Sequence, residues 1–147
     1  MSQAERPFDI CVVGGAGHVG APLSIVLADR GLRTLAYDVD PRALAVLADG
    51  RMPFLEDGAE PLLQRSIARG MLAFTSNIND VAGIANVVIT IGTPIDEFHN
   101  PMLRVVTQCI DSLLPFLTDD QMIVLRSTVF PGVTDHVHRY LLSLIHI

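Results

Sequence analysis

Ile10-Cys11-Val12-Val13-Gly14-Gly15-Ala16-Gly17-His18-Val19-Gly20 is the stretch that decides how this chain is read. Four apolar residues, three of them β-branched, run into a glycine-spaced turn, and an apolar stretch with helical character continues from Ala21 to Ala28. Gly15, Gly17 and Gly20 match G-x-G-x-x-G, the spacing of a strand-to-helix turn that seats the pyrophosphate of a dinucleotide. In that pattern Gly15 permits the tight turn, Gly17 lets the backbone approach a phosphate, and Gly20 lets the helix lie close on the strand. Unpaired N–H groups at the helix start, reinforced by the helix dipole, favour negative charge there. A second apolar stretch, Thr34 to Tyr37, ends at Asp38. That is close to the ~20-residue distance at which an acid accepts hydrogen bonds from adenosine ribose hydroxyls. A carboxylate there would repel a 2′-phosphate, so the expected cofactor is NAD rather than NADP.

Working outward, strands and helices alternate. Pro41 opens a helix to about Asp49, and Gly50 closes it. After an irregular passage from Arg51 to Gly58, a helix is expected from Ala59 to Arg69, a strand from Leu72 to Thr75 and a brief helix from Ile78 to Gly83. Asn86 to Ile91 is a β-branched run of the kind buried on both faces of a parallel sheet. A loop from Gly92 to Pro101 leads to a helix from Met102 to Phe116, a strand from Met122 to Leu125, and a last helix beginning near Val133. This alternation predicts a Rossmann-type, doubly wound parallel sheet in three αβα layers, incomplete at its C-terminal end. Ligands of such sheets bind beyond the carboxyl ends of the strands. The glycine turn, the Asp38 corner, Gly92-Thr93-Pro94 and Ser127-Thr128 all fall on that edge. A hydroxyl at Thr93 or Thr128 can donate to a phosphate or ribose, or can simply cap its own turn.

The 147 residues suffice for one domain with a real core. The net charge is −6, and all ten basic residues are arginine. An acidic chain without a basic cluster argues against nucleic acid or an anionic membrane as partner. No apolar run approaches the ~20 residues of a membrane span, and the polar N-terminus lacks a signal-peptide core, so a cytoplasmic protein is expected. Cys11 and Cys109 fall in a strand and an apolar helix pattern and read as buried, reduced side chains. His136 and His138, two apart on a helix, point to different faces, which disfavours a metal site. Asp96, Glu97 and His99 read as solvated loop residues rather than acid–base catalysts.

Five segments in order and spacing resemble the N-terminal half of the UDP-glucose/GDP-mannose dehydrogenase family, the nucleotide-sugar 6-dehydrogenases. They are Val12 to Leu23, Tyr37-Asp-Val-Asp-Pro41, Leu47 to Glu56, Ile91-Gly-Thr-Pro-Ile-Asp-Glu97 and Arg126-Ser-Thr-Val-Phe-Pro-Gly-Val-Thr134. The Thr-Pro and Ser-Thr-Val-x-Pro-Gly loops are far more specific than the glycine turn. The resemblance implies NAD contacts by the Val19 backbone, Asp38, Thr93 (with Pro94 beside it) and Thr128, the last also an auxiliary to the chemistry. It implies a substrate that is a nucleotide sugar, UDP-linked in preference to GDP-linked, a role in polysaccharide synthesis, and a homo-oligomer when the protein is full length. His18 stands where the family usually has tyrosine, altering the packing over the pyrophosphate. Many members carry a basic residue where this chain has Ala43, and Arg42 beside it substitutes.

The family's double oxidation of a sugar CH₂OH to a carboxylate uses a cysteine thiolate and two NAD⁺. That cysteine and its lysine neighbours lie beyond position 147 in family members, so no catalytic residue of that set is expected here. Residues 1–141 are expected to form the truncated NAD-binding domain. Leu142-Ser-Leu-Ile-His-Ile147 reads as a tail translated from a sequencing adapter, in which His146 carries no meaning. Two other readings stand beside this one. An extended short-chain dehydrogenase or sugar-nucleotide epimerase would use G-x-x-G-x-x-G, which Gly14, Gly17 and Gly20 also satisfy, but it does not carry the Thr-Pro and Ser-Thr loops. A free-standing NAD-binding module would need only the first half of the argument.

Overall fold

The computed structural model of the protein describes residues 7–92, 103–127, 129 and 131–145. Five short parallel strands form one sheet: β1 (Ile10–Val13), β2 (Thr34–Tyr37), β3 (Leu72–Thr75), β4 (Asn86–Ile89) and β5 (Met122–Leu125), in the order β3-β2-β1-β4-β5. The helices are α1 (Gly20–Asp29), α2 (Pro41–Ala48), α3 (Ala59–Ala68), α4 (Leu103–Leu113) and α5 (Val133–Ile145), with 3₁₀ turns at Ile78–Val81 and Leu114–Phe116. The order reverses at β1, where one half winds outward through β2 and β3 and the other through β4 and β5. That is the switch point at which open parallel sheets bind their ligands.

Local chemistry explains the element ends. The Asp40 side chain caps α2 by accepting the N–H groups of Arg42 (2.9 Å) and Ala43 (3.2 Å), with Pro41 in the first turn. Gly50 and Gly70 follow α2 and α3 in left-handed conformations that suit only glycine well. The sheet separates two cores. On one side Cys11, Val13, Val87 and Ile89 pack beneath Ile110 and Leu113 of α4 and Val137 of α5. On the other, Ala36 and Leu72 pack beneath Ile25 of α1, Leu44 of α2 and Leu63 of α3. This is the three-layer αβα arrangement expected from the sequence.

One strand is shorter than the sequence reading. β4 stops at Ile89 because its neighbours stop there: Ile89 lies opposite Val13 and Leu125, and β1 turns away at Gly14. α5 runs without a break from Val133 to Ile145, through the first residues of the C-terminal hexapeptide. No described helix is long and apolar enough to cross a membrane.

Candidate functional site: the glycine turn and the Asp38 corner

β1 delivers the chain into Gly14, and the left-handed conformation falls here (φ +83°) rather than on Gly15. Gly15 is required for a different reason. A Cβ at that position would lie 2.7 Å from the Ala36 Cβ and 3.0 Å from the Val12 carbonyl oxygen, so the turn is pressed flat onto β2. Gly20 has the role expected of it, because its Cβ would meet the Gly14 carbonyl oxygen at 2.0 Å. Only with glycine there can α1 begin against the end of β1. Gly17 stands open, with the Gly14 oxygen 3.3 Å from its notional Cβ as the sole near neighbour.

Accounting for the N–H groups of the turn identifies what it offers a ligand. Gly14 and Gly15 both donate to the Tyr37 carbonyl at 2.9 Å, Gly17 donates to the Gly14 carbonyl at 3.0 Å, and Ala16 donates to Asp38 Oδ2 at 3.0 Å. Ala21 donates to the Gly17 carbonyl. His18, Val19 and Gly20 are left, and among the described residues none of their N–H groups has an acceptor. α1 has no side-chain cap and no acidic residue in its first turn. Three adjacent free donors at a helix start suit a diphosphate.

Asp38 is half-buried at the end of β2. Its Oδ2 accepts the Ala16 N–H and its Oδ1 accepts the Asp40 N–H, each at 3.0 Å. The acid therefore holds the glycine turn, and a carboxylate keeps lone pairs free for further donors. A cavity of about 560 Å³ opens between this corner and α4, with Gly17, Asp38, Val39, Ile78, Thr90 and Cys109 among the residues lining it. Its walls are mainly apolar, with polar groups at the turn, as suits a nucleoside.

The other expected site residues distribute as follows. The exposed His18 ring packs on Phe54 with centroids 4.2 Å apart, tying the glycine turn to the irregular passage after α2. Arg42 is exposed on the first turn of α2, and its guanidinium makes no ion pair among the described residues. Thr93, Pro94 and Thr128 lie outside the described residues, as do Asp96, Glu97, His99 and His146. The described residues at the ends of β4 and β5 are tied to one another. The Ser127 hydroxyl donates to the Ile91 carbonyl at 2.6 Å, bracing the exit of β5 against the exit of β4.

Cys11 is fully buried, and burial pushes its thiol up to about 12. Cys109 is only half-buried, unlike the sequence expectation, because it faces the cavity; its thiol is pushed up to about 11 by burial. Thr90, which sequence reasoning passed over, is buried and donates its hydroxyl to the Val13 carbonyl. Within a β-branched run it gave no motif signal. No cluster that could hold a metal ion occurs among the described residues.

Strand order, glycine turn and terminal acid together define a dinucleotide-binding α/β domain. More specifically, the chain belongs to the UDP-glucose/GDP-mannose dehydrogenase family: the model of that family's NAD binding domain matches residues 8–145. The chain is 29% identical over 128 residues to the UDP-glucose 6-dehydrogenase of Rickettsia typhi, covering 86% of this chain and 30% of that protein. It is 32% identical over 131 residues to the UDP-N-acetyl-D-glucosamine 6-dehydrogenase of Pseudomonas aeruginosa, covering 88% and 29%. A ternary complex of the GDP-mannose dehydrogenase of Pseudomonas aeruginosa superposes with a TM-score of 0.83 at 27% identity, over 90% of this chain and 31% of that one. The UDP-glucose dehydrogenase of Pyrobaculum islandicum superposes with a TM-score of 0.83 at 28% identity, over 97% and 34%. The chain thus spans about three-tenths of the curated relatives it matches. Its cofactor is NAD, and the family match decides against the short-chain dehydrogenase reading of Gly14, Gly17 and Gly20.

Proposed function

We propose that this chain is the cofactor-binding part of an NAD-dependent nucleotide-sugar 6-dehydrogenase. The whole enzyme would oxidise the C6 CH₂OH of a UDP-sugar, in preference to a GDP-sugar, to a carboxylate. It would work in the cytoplasm, as a homo-oligomer, in the supply of polysaccharide precursors. The observation that carries the reading is the set of three acceptor-free N–H groups at His18, Val19 and Gly20, held beside Asp38 at the switch point of the sheet. In this reading those N–H groups receive the diphosphate, and Gly15 and Gly17 keep side chains out of its path. Asp38 takes the ribose hydroxyls with Arg42 beside it, and Thr93, Pro94 and Thr128 complete the site from the loops after β4 and β5. NAD, when bound, supplies the hydride acceptor. The chain's own groups bind and orient it.

Neither cysteine suits the nucleophilic step. Cys11 is sealed in β1 and the Cys109 thiol is held far above neutral pH, so both stay protonated where a thiolate is needed. The chain by itself is therefore proposed to bind NAD without completing the oxidation. Calorimetry with Asp38→Ala tests the cofactor assignment. Loss of a charged hydrogen-bond acceptor should weaken NAD⁺ binding about tenfold, roughly 1 to 2 kcal/mol, and should narrow the preference over NADP⁺. Unchanged affinity would remove Asp38 from the ribose site.

A further inference from the structure

The Thr90 hydroxyl sits where three parts of the site meet. It donates to the Val13 carbonyl at 2.8 Å, and the Thr90 N–H donates to the same oxygen at 2.9 Å, so one residue clasps the last carbonyl of β1 twice. The hydroxyl oxygen also lies 3.3 Å from the Gly14 carbonyl oxygen, which itself accepts the Gly17 N–H. From the other side, α1 is seated on the same pair of atoms: a Cβ at Gly20 would meet the Gly14 oxygen at 2.0 Å and Thr90 Oγ1 at 2.8 Å. The side chain is buried, in contact with the strand end, the turn and the first residue of the helix.

We infer that Thr90 is a positioning residue for the diphosphate-binding turn, fixing through the Val13 and Gly14 carbonyls where the His18, Val19 and Gly20 N–H groups stand. The inference rests on the reading of that turn as the diphosphate site. The physical argument is one of geometry. N–H donors hold an anion well only when they converge within a few tenths of an ångström, since hydrogen bonds weaken steeply off their optimal distance and angle. The peptide at Gly14 is glycine in a left-handed conformation and is soft by itself, so it needs an external tie. Asp38 ties the turn at Ala16 from the β2 side; Thr90 ties it at Val13 and Gly14 from the β4 side. Removing the hydroxyl leaves the Thr90 N–H on the Val13 carbonyl, so the strand register survives while the turn gains freedom.

The test compares two ligands on the full chain: ADP-ribose, which carries the diphosphate, and adenosine, which reaches the Asp38 corner and the cavity but not the turn. Thr90→Val keeps the shape and removes the donor; Thr90→Ser keeps the donor. Thr90→Val should weaken ADP-ribose about tenfold and leave adenosine within twofold, whereas Thr90→Ser should bind both as the parent does. If Thr90→Val does not fold, Thr90→Ala is measured in its place against the same two ligands. A general loosening would lower both affinities together and would overturn the inference, as would a hydroxyl-free variant with unchanged preference for ADP-ribose. A parent chain that binds ADP-ribose no better than adenosine would instead overturn the diphosphate reading itself.

Discussion

β1 and β5 belong to one sheet and their middle residues lie in one row, yet their surroundings differ. Val12 of β1, Val88 of β4 and Val124 of β5 are in register and share the face on which α1 packs. Val12 is fully buried, whereas Val124 is 36% and its neighbour Met122 57% exposed. α5 covers the opposite face of β5 through Val133 and Val137, and no described element covers this one. β1, which carries the glycine turn, is closed on both faces, and β5 is closed on one. Gly15 lies so close on β2 that a Cβ there would come within 2.7 Å of the Ala36 Cβ, which leaves the turn little room to shift.

The sharpest way to break this contrast is at the junction of β1 and α1. Gly20→Val places a side chain against backbone at the Gly14 carbonyl, where nothing flexible can give way. Chemical denaturation should register a loss of about 3 kcal/mol or more, and NAD⁺ binding should go with it. The in-register pair measures the contrast itself. Val12→Ala removes two methyl groups from a sealed site and should cost about 2 kcal/mol, while Val124→Ala on the exposed row should stay within about 0.5 kcal/mol. Equal costs would mean that β5 is as well covered as β1.

A smaller effect comes from the entry to β1. Asp9 accepts from the Arg33 backbone N–H (2.8 Å), Nε (3.1 Å) and Nη2 (2.6 Å), and the Arg33 guanidinium holds its carboxyl below the ordinary value of 3.8. A carboxyl whose folded pKa is lowered adds stability that is complete above its unfolded pKa and disappears as pH falls through the folded one. Asp9→Asn should therefore melt below the parent at pH 7, with the gap closing as the pH drops below about 4. A gap that is constant with pH would mean the pair contributes no linkage. The smallest effect is kinetic. With its thiol near 11, Cys109 is about a thousandth thiolate at pH 8 and should alkylate slowly. Because it lines the cavity, NAD⁺ should slow it further, while Cys11 should not react in the folded chain at all.

Much of this was readable from residue order. Thr34–Tyr37, Leu72–Thr75 and Met122–Leu125 are strands at the predicted residues, because short apolar runs bounded by Gly, Asp or Ser have few alternatives. The glycine spacing and Asp38 picked out a turn and a corner that the fold brings together, with the Ala16 N–H on Asp38 Oδ2. What escaped depends on contacts between distant parts of the chain. Gly14 takes the left-handed conformation, and what requires glycine at position 15 is its closeness to Ala36 on the neighbouring strand, whereas sequence alone assigned the tight turn to Gly15. The end of β4 is set by the lengths of its neighbours, not by its own β-branched run. Thr90 is invisible as a site residue until the fold brings it 2.8 Å from a carbonyl 77 positions earlier. Cys109 follows the apolar stripe of α4, and helical periodicity says nothing of the cavity beside it.

The most direct test is an amide-resolved NMR titration of the chain with NAD⁺. If the site is prebuilt beside β1, the strand closed on both faces, saturable shifts will centre on His18, Val19, Gly20, Ala16 and Asp38, with the amides of β5 and α5 unmoved. Shifts centred on β5, or no saturable shift at all, would contradict the account.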